Sequence, residues 1–446
     1  MKVKMATLRP PWLLEAPLGH PFMGLARIIA KRDFGKVLFW EVHFNIDTIQ
    51  LMLQQKNLSN FDELQSIHLG SCVSFNGKKC VTRSGEHSID VMEAQLEVSC
   101  VKTLPDKYHG LQQAHRYEDR ILDLIMNPDV FGFFRLISDV TYRIREFLQK
   151  RGFREFNTGI LHEYFEAGLA HPFVTICNAN QKQYSLGLTS EVKLKQLIIA
   201  GYERVFEIMQ SFRNEGISPM HSPEFTLLEV YQQAADYKQM MLLVEEMLAY
   251  AIIESYPNLQ PLVDDGEDVQ VIDFTPPYRR VPFFEACEQL LDLHEADCNL
   301  KTLISRFPQT FTDGMHQFTW FFKLVSKYIS PCYLNPTFLT EIPSGISPFV
   351  KVNSSLPTQS ERAILLIKGM EIADVYTDEN DLRLAKQEMI KQSGYTGKSY
   401  NEYFLQMLEL GLPPMAGIGF GLNRFFLTLR GNLPNNIKET ILFPLK

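Results

Sequence analysis

The first hundred residues carry short apolar runs separated by turn-forming residues, a pattern typical of a small all-β unit. The stretch GLARIIAKRDFGKVLFWEVHF predicts two strands joined by a turn at 33–36, and 47–51 predicts a further strand. Asn-Gly-Lys at 76–78 and Ser-Gly-Glu at 84–86 predict later turns, followed by a last strand in SIDVMEAQLEVSCV. About five such strands predict a closed barrel; the oligonucleotide-binding barrel is one candidate, and other small barrels fit the pattern equally well.

The hydrophobic period changes after LPDKYHGL at 104–111, which predicts a linker. Apolar residues then recur at three- and four-residue spacing (Phe133, Ile137, Val140, Ile144, Phe147), which predicts an amphipathic helix ending at Gly152. Beyond it, RVFEIMQSF, TLLEVYQ and AILLIKG predict strands among helices without clean alternation, so an antiparallel sheet with packed helices is favoured over a doubly wound one. We therefore predict an α+β protein with domains at 1–105 and 106–446.

Composition narrows the class of protein. Apolar residues make up 45% and charged residues 22% of the 446 residues, a balance that excludes disorder as the main state. The net charge of −8 argues against non-specific coating of nucleic acid, although a local basic face is compatible with it. The seven cysteines are an odd number without a CxxC pair, which predicts buried reduced thiols rather than disulfides or a zinc site. No apolar run is long enough to span a bilayer, so we predict a cytoplasmic protein without membrane contact.

Two segments carry candidate chemistry. In RVFEIMQSFRNEGISPMHSPEFTLLEVYQ a polar loop separates two predicted strands, and Glu229 and Tyr231 project from one face of the second. Arg213 stands where the first strand meets the loop, so a phosphate, a cation and a planar base are possible ligands. In PPMAGIGFGLNRFFLTLRG a glycine-rich strand leads to Arg424 at a helix start. Composition alone favours a solvated hairpin for the first segment and tight packing for the second.

Together the two segments are far more specific. FRNEG followed by HSPEFTLLEVY resembles motif 2 of class II aminoacyl-tRNA synthetases, and GIGFGLNR resembles their motif 3. The details are similar to the lysyl-tRNA synthetase family. The match continues in order through LPDKYHGL, HRYEDRILDLI, IDFTPPYRR, ISPF, GLPPMAG and NNIKETILFP. It covers nearly the whole chain from residue 24 onward.

The resemblance implies an anticodon-binding barrel followed by a dimeric class II catalytic domain. It implies ATP-dependent activation of lysine, with Mg²⁺, and transfer of the lysyl group to tRNA(Lys). By matching positions it assigns ATP binding and catalysis to Arg213, Glu215, His221, Phe225 and Arg424. It assigns the amino-acid pocket to Glu191, Glu229, Tyr231, Asp374, Tyr376 and Asp378. It assigns the anticodon site to Phe39, Gln50 and Glu86, and a metal ligand to Glu371.

Within that scheme the resemblance gives several residues a role. Arg213 would hold the α-phosphate of ATP, and adenine would lie between Phe225 and Arg424. Glu191 would receive the α-ammonium of lysine. Without the resemblance, Phe39 is an ordinary core residue, and Gln50 and Glu86 are ordinary solvated ones.

Several positions depart from the family pattern. Gly159 stands where motif 1 ends in proline, and Glu166-Ala167 replaces a glycine pair over the amino acid. Ile364 stands where the pattern has a second carboxylate, so we expect fewer Mg²⁺ sites. Asp374 replaces an asparagine and could oppose the substrate carboxylate, while Asp378 replaces a glutamate that pairs with the lysine ε-ammonium.

Three hypotheses remain. The first is a working lysine–tRNA ligase, favoured by the many retained nucleotide positions. The second is a paralogue that activates another amino acid or uses another acceptor, favoured by the altered pocket. The third is a non-catalytic tRNA-binding relative, favoured by the changes at Gly159, Glu166 and Ile364.

Overall fold

The structure is a computed structural model that describes most of the chain. The described residues are 10–102, 104, 113–163, 170–254, 256, 259, 261–264, 269–347, 349–396, 402–430 and 436–445. They form two compact units, Met1–Leu136 with Leu442–Lys446 and Ile137–Ile441. Apart from Leu104, the linker predicted at 104–111 lies outside the described residues. Among the helices that the structure describes, none is long and apolar enough to cross a bilayer.

The first unit is built on a closed barrel of five strands in the order β1-β2-β3-β5-β4, as predicted. The strands are β1 (Pro21–Asp33), β2 (Val37–Phe44), β3 (Asp47–Gln54), β4 (Cys72–Val81) and β5 (His87–Val98). Two short helices accompany them, α1 (Pro11–Glu15) and α2 (Phe61–Ser66). Every second residue of β2 is buried, including Leu38 and Trp40, because alternate side chains of a strand point to the same side. The hydrophobic alternation therefore fills the barrel.

One of the predicted turns is wrong. Residues 76–78 lie inside β4, where the pairing with β5 shifts register between Asn76 and Gly77. A Cβ atom at Gly77 would lie 2.5 Å from the backbone oxygen of Asp90, so the glycine allows close approach of β5 at a bulge. The turn at 84–86 is confirmed, and it joins β4 to β5.

Three helices follow the barrel: α3 (Gln113–Glu118), α4 (Arg120–Met126) and α5 (Pro128–Lys150). The predicted amphipathic helix is α5, which ends two residues before Gly152. Phe133, Val140 and Ile144 are almost fully buried, as the apolar spacing predicts.

The second unit is built on an eight-stranded sheet in the order β14-β15-β16-β17-β18-β11-β10-β6. Its strands are β6 (Arg154–Glu155), β10 (Arg204–Phe212), β11 (Glu224–Gln233), β14 (Arg279–Pro282), β15 (Thr337–Thr340), β16 (Arg362–Ile367), β17 (Met370–Thr377) and β18 (Met415–Gly421). Separate small sheets contain β7 (Leu161–His162), β8 (Val174–Ile176), β9 (Gln183–Leu186), β12 (Leu262–Asp264) and β13 (Val269–Val271). The interior pairings are antiparallel, which confirms the predicted sheet, but the edge pairs β6–β10 and β14–β15 are parallel.

Helices pack around this sheet. They are α6 (Glu191–Ile199), α7 (Tyr237–Leu248), α8 (Phe283–Leu291), α9 (Leu300–Arg306), α10 (Gln317–Leu324), α11 (Leu382–Thr396), α12 (Glu402–Leu408) and α13 (Leu422–Leu429). Two π-helical segments span Ala249–Glu254 and Val325–Ile329, and 3₁₀ segments span Glu295–Asp297, Ser330–Cys332 and Ile437–Thr440. Helix α6 packs against β10 and β11, and α7 packs against β16, β17 and β18. The described residues thus give the α+β architecture that the sequence predicts.

The seven cysteines are free thiols, as predicted, but they are not all buried. Cys287 is buried in the cluster around α8 and α10, whereas Cys332 is exposed and the others are intermediate.

Candidate active site

The candidate site lies where β11, β18 and β17 run side by side in the second unit. Two rows of cross-strand partners cross these strands: Glu229–Gly419–Asp374 and Tyr231–Gly417–Tyr376. Both rows face the same side of the sheet because their residues are two apart on each strand. At these two rows the middle strand, β18, contributes only Gly417 and Gly419, so the side chains of β11 and β17 can meet above it. A Cβ atom at Gly417 would lie 2.3 Å from Cε1 of Tyr231, a distance that no side chain tolerates.

Glu229 is a buried carboxylate, only 5% exposed, on this face. It accepts hydrogen bonds from the hydroxyls of Thr189 (2.5 Å) and Tyr231 (2.9 Å). Burial, together with the neighbouring negative charge of Glu191, raises the pKa of Glu229 to about 8. The carboxyl is therefore ready to ionise when a cation arrives.

Next to Glu229 lies an ion-pair cluster centred on Lys195, a fully buried residue of α6. Its ammonium group donates to Oε1 of Glu191 at 2.6 Å and pairs with Oδ1 of Asp378. Tyr376 also donates to Oε1 of Glu191, at 2.8 Å. Burial raises the pKa of Asp378 to about 7, although Lys195 opposes the rise.

Sequence reasoning did not identify Lys195. The only available signal was its position four residues after Glu191, a spacing that on a helix predicts an ion pair. Such pairs are usually solvated, and neither the burial of Lys195 nor its contact with Asp378, far along the chain, can be derived from that spacing. The pocket residues assigned by the resemblance are thus brought together around a cation supplied by the chain itself.

With lysine, the ligand that the resemblance implies, we predict that the KM rises at least about tenfold between pH 8 and pH 6, which corresponds to about 1.4 kcal/mol. The carboxyls of Glu229 and Asp378, with pKa values of about 8 and about 7, bind protons over this range, and a cationic ligand must displace them. The other titratable groups that face one or both of them are Glu191, Lys195, Tyr231, Tyr376 and Glu379. Lysine-dependent ATP–pyrophosphate exchange across this pH range measures the effect.

The Glu229→Gln variant is the matched control for that profile. It should bind lysine more weakly at every pH, with a flatter dependence, because one titrating group is gone. A KM that is constant from pH 6 to pH 8 in the unmodified protein would contradict the prediction.

The positions that the resemblance assigns to ATP begin at the strand–loop junction. Arg213 follows β10 directly, and its backbone N–H donates to the oxygen of Pro223 at 2.8 Å, which closes the base of the loop. Its guanidinium lies over the ring of Phe225, 5.1 Å from the ring centroid. A cation and an aromatic face thus stand together at one edge of the candidate site.

His221 connects this loop to the glycine-rich strand. Its Nδ1 lies 2.8 Å from the hydroxyl of Ser218, and its Nε2 lies 3.2 Å from Nη2 of Arg424. Burial and the charge of Arg424 lower the pKa of His221, while exposed Glu215 opposes this. His221 of the loop and Arg424 of α13 therefore lie together, one a neutral imidazole and the other a cation.

Arg424 also reaches β17, where Nη1 donates to the backbone oxygen of Glu371 at 3.2 Å. The Oε1 atom of Glu371 is buried and makes no hydrogen bond to any described residue. Burial raises the pKa of Glu371 to about 7, against the pull of Arg424. A buried acceptor of this kind fits a cation.

The resemblance assigns a metal ligand to Glu371, whereas the second carboxylate of the family pattern is replaced here by Ile364. Ile364 is 2% exposed and belongs to the apolar cluster around α8 and α10, so it supplies no oxygen. Across the described part of the chain, no three or more His, Cys, Asp or Glu side chains are grouped so that they could hold a metal. Mg²⁺ commonly binds through one or two carboxylates and substrate phosphates, and Glu371 fits that mode.

Asp374 does not add a free negative charge to the pocket. Arg362, two residues before Ile364 on β16, holds it with two bonds, from Nε at 2.7 Å and from Nη2 at 2.5 Å. The guanidinium compensates the charge that the Asp374 substitution introduces. Sequence reasoning missed Arg362, because the partner strand and its register are not visible in the local pattern.

Two further departures from the family pattern remain, at Gly159 and at Glu166-Ala167. Gly159 has a φ of +81°, a left-handed conformation that proline cannot adopt. The turn is fixed instead by Glu207, which accepts hydrogen bonds from the backbone N–H and the hydroxyl of Thr158. Glu166-Ala167 lies outside the described residues.

The three residues assigned to the anticodon lie in the barrel and are linked by contacts that run through Arg32 and Ser88. Arg32 lies 6.0 Å from the ring centroid of half-buried Phe39 and donates to Gln50 Oε1 at 2.6 Å. Gln50 in turn donates to the hydroxyl of Ser88 at 2.8 Å, and that hydroxyl donates to the backbone oxygen of Glu86 at 3.3 Å. Gln50 is buried and already bonded on both sides, contrary to an exposed base-reading amide.

Comparison with known proteins agrees with this geometry. The family model of tRNA synthetases class II (D, K and N) matches residues 112–446. A lysine–tRNA ligase of Clostridium perfringens (strain SM101 / Type A) is 33% identical over 435 residues, which cover 94% of this chain and 85% of the relative. The corresponding ligase of Dehalococcoides mccartyi is 33% identical over 94% of this chain and 86% of its own length. That of Nostoc sp. is 35% identical, with 94% and 78% covered.

The matched domain and the sheet that carries the site define the class of protein as a class II tRNA synthetase. Within that class, the chain belongs to the lysine–tRNA ligase family.

Proposed function

We propose that this protein condenses lysine with ATP to lysyl-adenylate and transfers the lysyl group to tRNA(Lys). The observation that carries the proposal is the charge of the amino-acid pocket. Glu191, Glu229 and Asp378 converge there with one internal cation, Lys195, so the pocket has two formal negative charges once all three carboxyls ionise around a bound cation. Lysine brings two ammonium groups, so its charges match this pocket, as those of an amino acid with an uncharged side chain do not.

The nucleotide end of the site supports ATP as the second substrate. Arg213 supplies a guanidinium beside the aromatic face of Phe225, and Arg424 with His221 supplies further donors. In the proposed complex Arg213 binds the α-phosphate, and the adenine stacks on Phe225 under Arg424. Glu371 would hold Mg²⁺ together with the phosphates of ATP, and the ion would offset negative charge on those oxygens.

The proposed chemistry needs no protein nucleophile, because the lysine carboxylate itself attacks the α-phosphorus. What the chain contributes is alignment of the attacking and leaving groups and charge aimed at the phosphate oxygens. Burial of Glu229 and Asp378 indicates that the amino-acid end is dry, which strengthens each charge interaction there.

We further propose that the barrel binds the anticodon of tRNA(Lys) and that the protein works as a homodimer in the cytoplasm. The support for tRNA binding is the chain of polar contacts that links Phe39, Gln50 and Glu86 on one side of the barrel. If Gln50 reads a base, it must exchange its bond to Arg32 or Ser88 for one to the nucleotide.

Charging of tRNA tests the proposal. With ATP, Mg²⁺ and labelled lysine, the purified protein should attach label to tRNA(Lys) and release it on mild base treatment. A matched preparation with tRNA of another specificity should stay unlabelled. Activation of lysine without charging would refute tRNA(Lys) as the acceptor. Absence of both activation and charging would favour a non-catalytic relative.

We predict that Phe39→Ala raises the KM for tRNA(Lys) about 5- to 150-fold and leaves lysine activation unchanged. The range is the cost of one lost base–aromatic stack, about 1–3 kcal/mol. Charging kinetics and pyrophosphate exchange measured side by side give the two quantities. Met23→Ala, which removes a 73% exposed apolar side chain from the same barrel, is the matched control. An equal KM for both variants would contradict an anticodon role for Phe39.

A second candidate function is activation of a different amino acid, and one observation favours it. Asp378 is shorter than the glutamate of the family pattern, and Lys195 takes one of its two oxygens. The distance that the substrate side chain must bridge therefore differs from that pattern. Exchange with another amino acid alone, and none with lysine, would establish this alternative.

A further inference from the structure

The most unusual group in the pocket is the ammonium of Lys195. The side chain is completely buried, and burial alone would lower its pKa. Asp378 and Glu191 more than offset this, so the pKa of Lys195 is raised and the group stays charged. Four aromatic rings also surround the ammonium, with their centroids 5.4–5.7 Å away (Tyr231, Phe349, Tyr376, Phe404). Burial of a lysine ammonium costs free energy of desolvation, so we asked which role of Lys195 in the pocket accounts for it.

The packing of α6 against the sheet does not require the ammonium group of Lys195. The helix already buries Val192, Leu194 and Ile198 against the sheet and its neighbouring cluster. An apolar residue at position 195 would continue that packing without the cost of a desolvated charge. The ammonium instead faces the carboxylates of the amino-acid pocket.

The contacts of Asp378 indicate what the cation does. Its Oδ1 pairs with Lys195, whereas Oδ2 is buried and makes no hydrogen bond to any described residue. A buried carboxylate oxygen that accepts no hydrogen bond is energetically unfavourable, and a bound donor would remove this cost. The side chain is only 1% exposed, and an ammonium group that enters the pocket would supply this donor.

We propose that Lys195 is a positioning residue for substrate selection: it keeps Asp378 ionised and oriented so that Oδ2 receives the side-chain ammonium of the amino acid. This inference rests on the proposed function, since it takes lysine as the ligand. Glu191 anchors the ammonium of Lys195 from the other side and fixes its place between the two carboxylates.

Calorimetric titration of lysine into the full chain tests the proposal, because it measures binding without requiring catalysis. Lys195→Met should lower the affinity for lysine at pH 7 at least tenfold. The pH at which half of the maximal affinity is lost should also move up, since Asp378 and Glu229 both lose the nearby positive charge of Lys195. Norleucine has the same α-substituents but no side-chain ammonium, so its affinity should fall much less than that of lysine. Lys195→Arg keeps the charge and should retain the original pH midpoint.

A merely structural role for Lys195 predicts other results. Lys195→Met would then lower the melting temperature with an unshifted pH midpoint, or weaken lysine and norleucine alike, and either result would overturn the proposal. If this variant does not fold, Asp378→Asn and the double variant Lys195→Met, Asp378→Asn replace it, because removal of both charges of a buried pair is better tolerated. Equal lysine affinities of these two support action through Asp378, and a tenfold difference overturns it.

The same titration separates this inference from the proposed function. Lysine binding with the expected shift, but without ATP–pyrophosphate exchange, would refute the function and leave the role of Lys195 standing. Exchange with lysine, together with an unshifted pH midpoint in Lys195→Met, would support the proposed function and refute the role of Lys195. If the unmodified protein binds no lysine at all, both are wrong.

Discussion

Arg213→Ala is expected to reduce lysine-dependent ATP–pyrophosphate exchange by at least about 10³-fold in kcat/KM. Loss of one preorganised donor to a developing negative charge costs about 10²–10³ in rate, and Arg213 brings a full positive charge to the phosphate. Its guanidinium lies over Phe225, so the variant also loses a contact that orders the nucleotide end of the site.

Arg204→Ala is the matched control for this experiment. Arg204 lies at the other end of β10, is exposed, and donates to the backbone oxygen of Arg151 at 2.7 Å. Exchange by this variant should stay within about twofold of the unmodified protein, as is usual for surface substitutions. Equal exchange by the Arg213 and Arg204 variants would show that the nucleotide site has been placed wrongly.

Gly417→Ala is expected to destabilise the second unit by about 3 kcal/mol and to abolish lysine binding. The added Cβ would lie 2.3 Å from Cε1 of Tyr231, a fully buried ring that cannot swing aside. Overpacking of this kind typically costs about 1–3 kcal/mol. Displacement of Tyr231 would also remove its hydrogen bond to Glu229. Calorimetry should show a melting temperature lower by about 5 °C.

Gly419→Ala, two residues further along β18, provides the comparison. Its Cβ would lie 3.7 Å from Oε2 of Glu229, which is ordinary van der Waals contact. The melting temperature of this variant should stay within about 2 °C of the unmodified protein. Equal melting temperatures of the two glycine variants would contradict the steric argument for Gly417.

The parts of the fold that depend on local periodicity could be predicted from the sequence. Alternation predicts the strands of the barrel, and three- and four-residue spacing predicts α5, because both patterns report which side of an element is buried. The strand–loop–strand that carries Arg213 and Glu229 is likewise visible in the chain. Asn76-Gly77 misleads because a glycine serves a bulge as well as a turn.

The missing parts of the site depend on contacts between distant segments. Lys195 meets Asp378, and Arg362 meets Asp374, only after the sheet has set their strands and helix in place. The burial of Gln50 follows from its bonds to Arg32 and Ser88 on neighbouring strands. No local pattern reports such pairings, so charges that are compensated in the fold look free in the sequence.

The most direct test of the proposed activity is ATP–pyrophosphate exchange by the purified protein, with lysine compared against the other amino acids at several Mg²⁺ concentrations. The pocket of Glu191, Glu229 and Asp378 around Lys195 predicts exchange with lysine well above that with any amino acid whose side chain carries no cation. The buried Oε1 of Glu371, which would hold Mg²⁺ together with the phosphates of ATP, predicts that exchange depends on Mg²⁺. Exchange supported only by an uncharged amino acid, or no exchange with any, would contradict it.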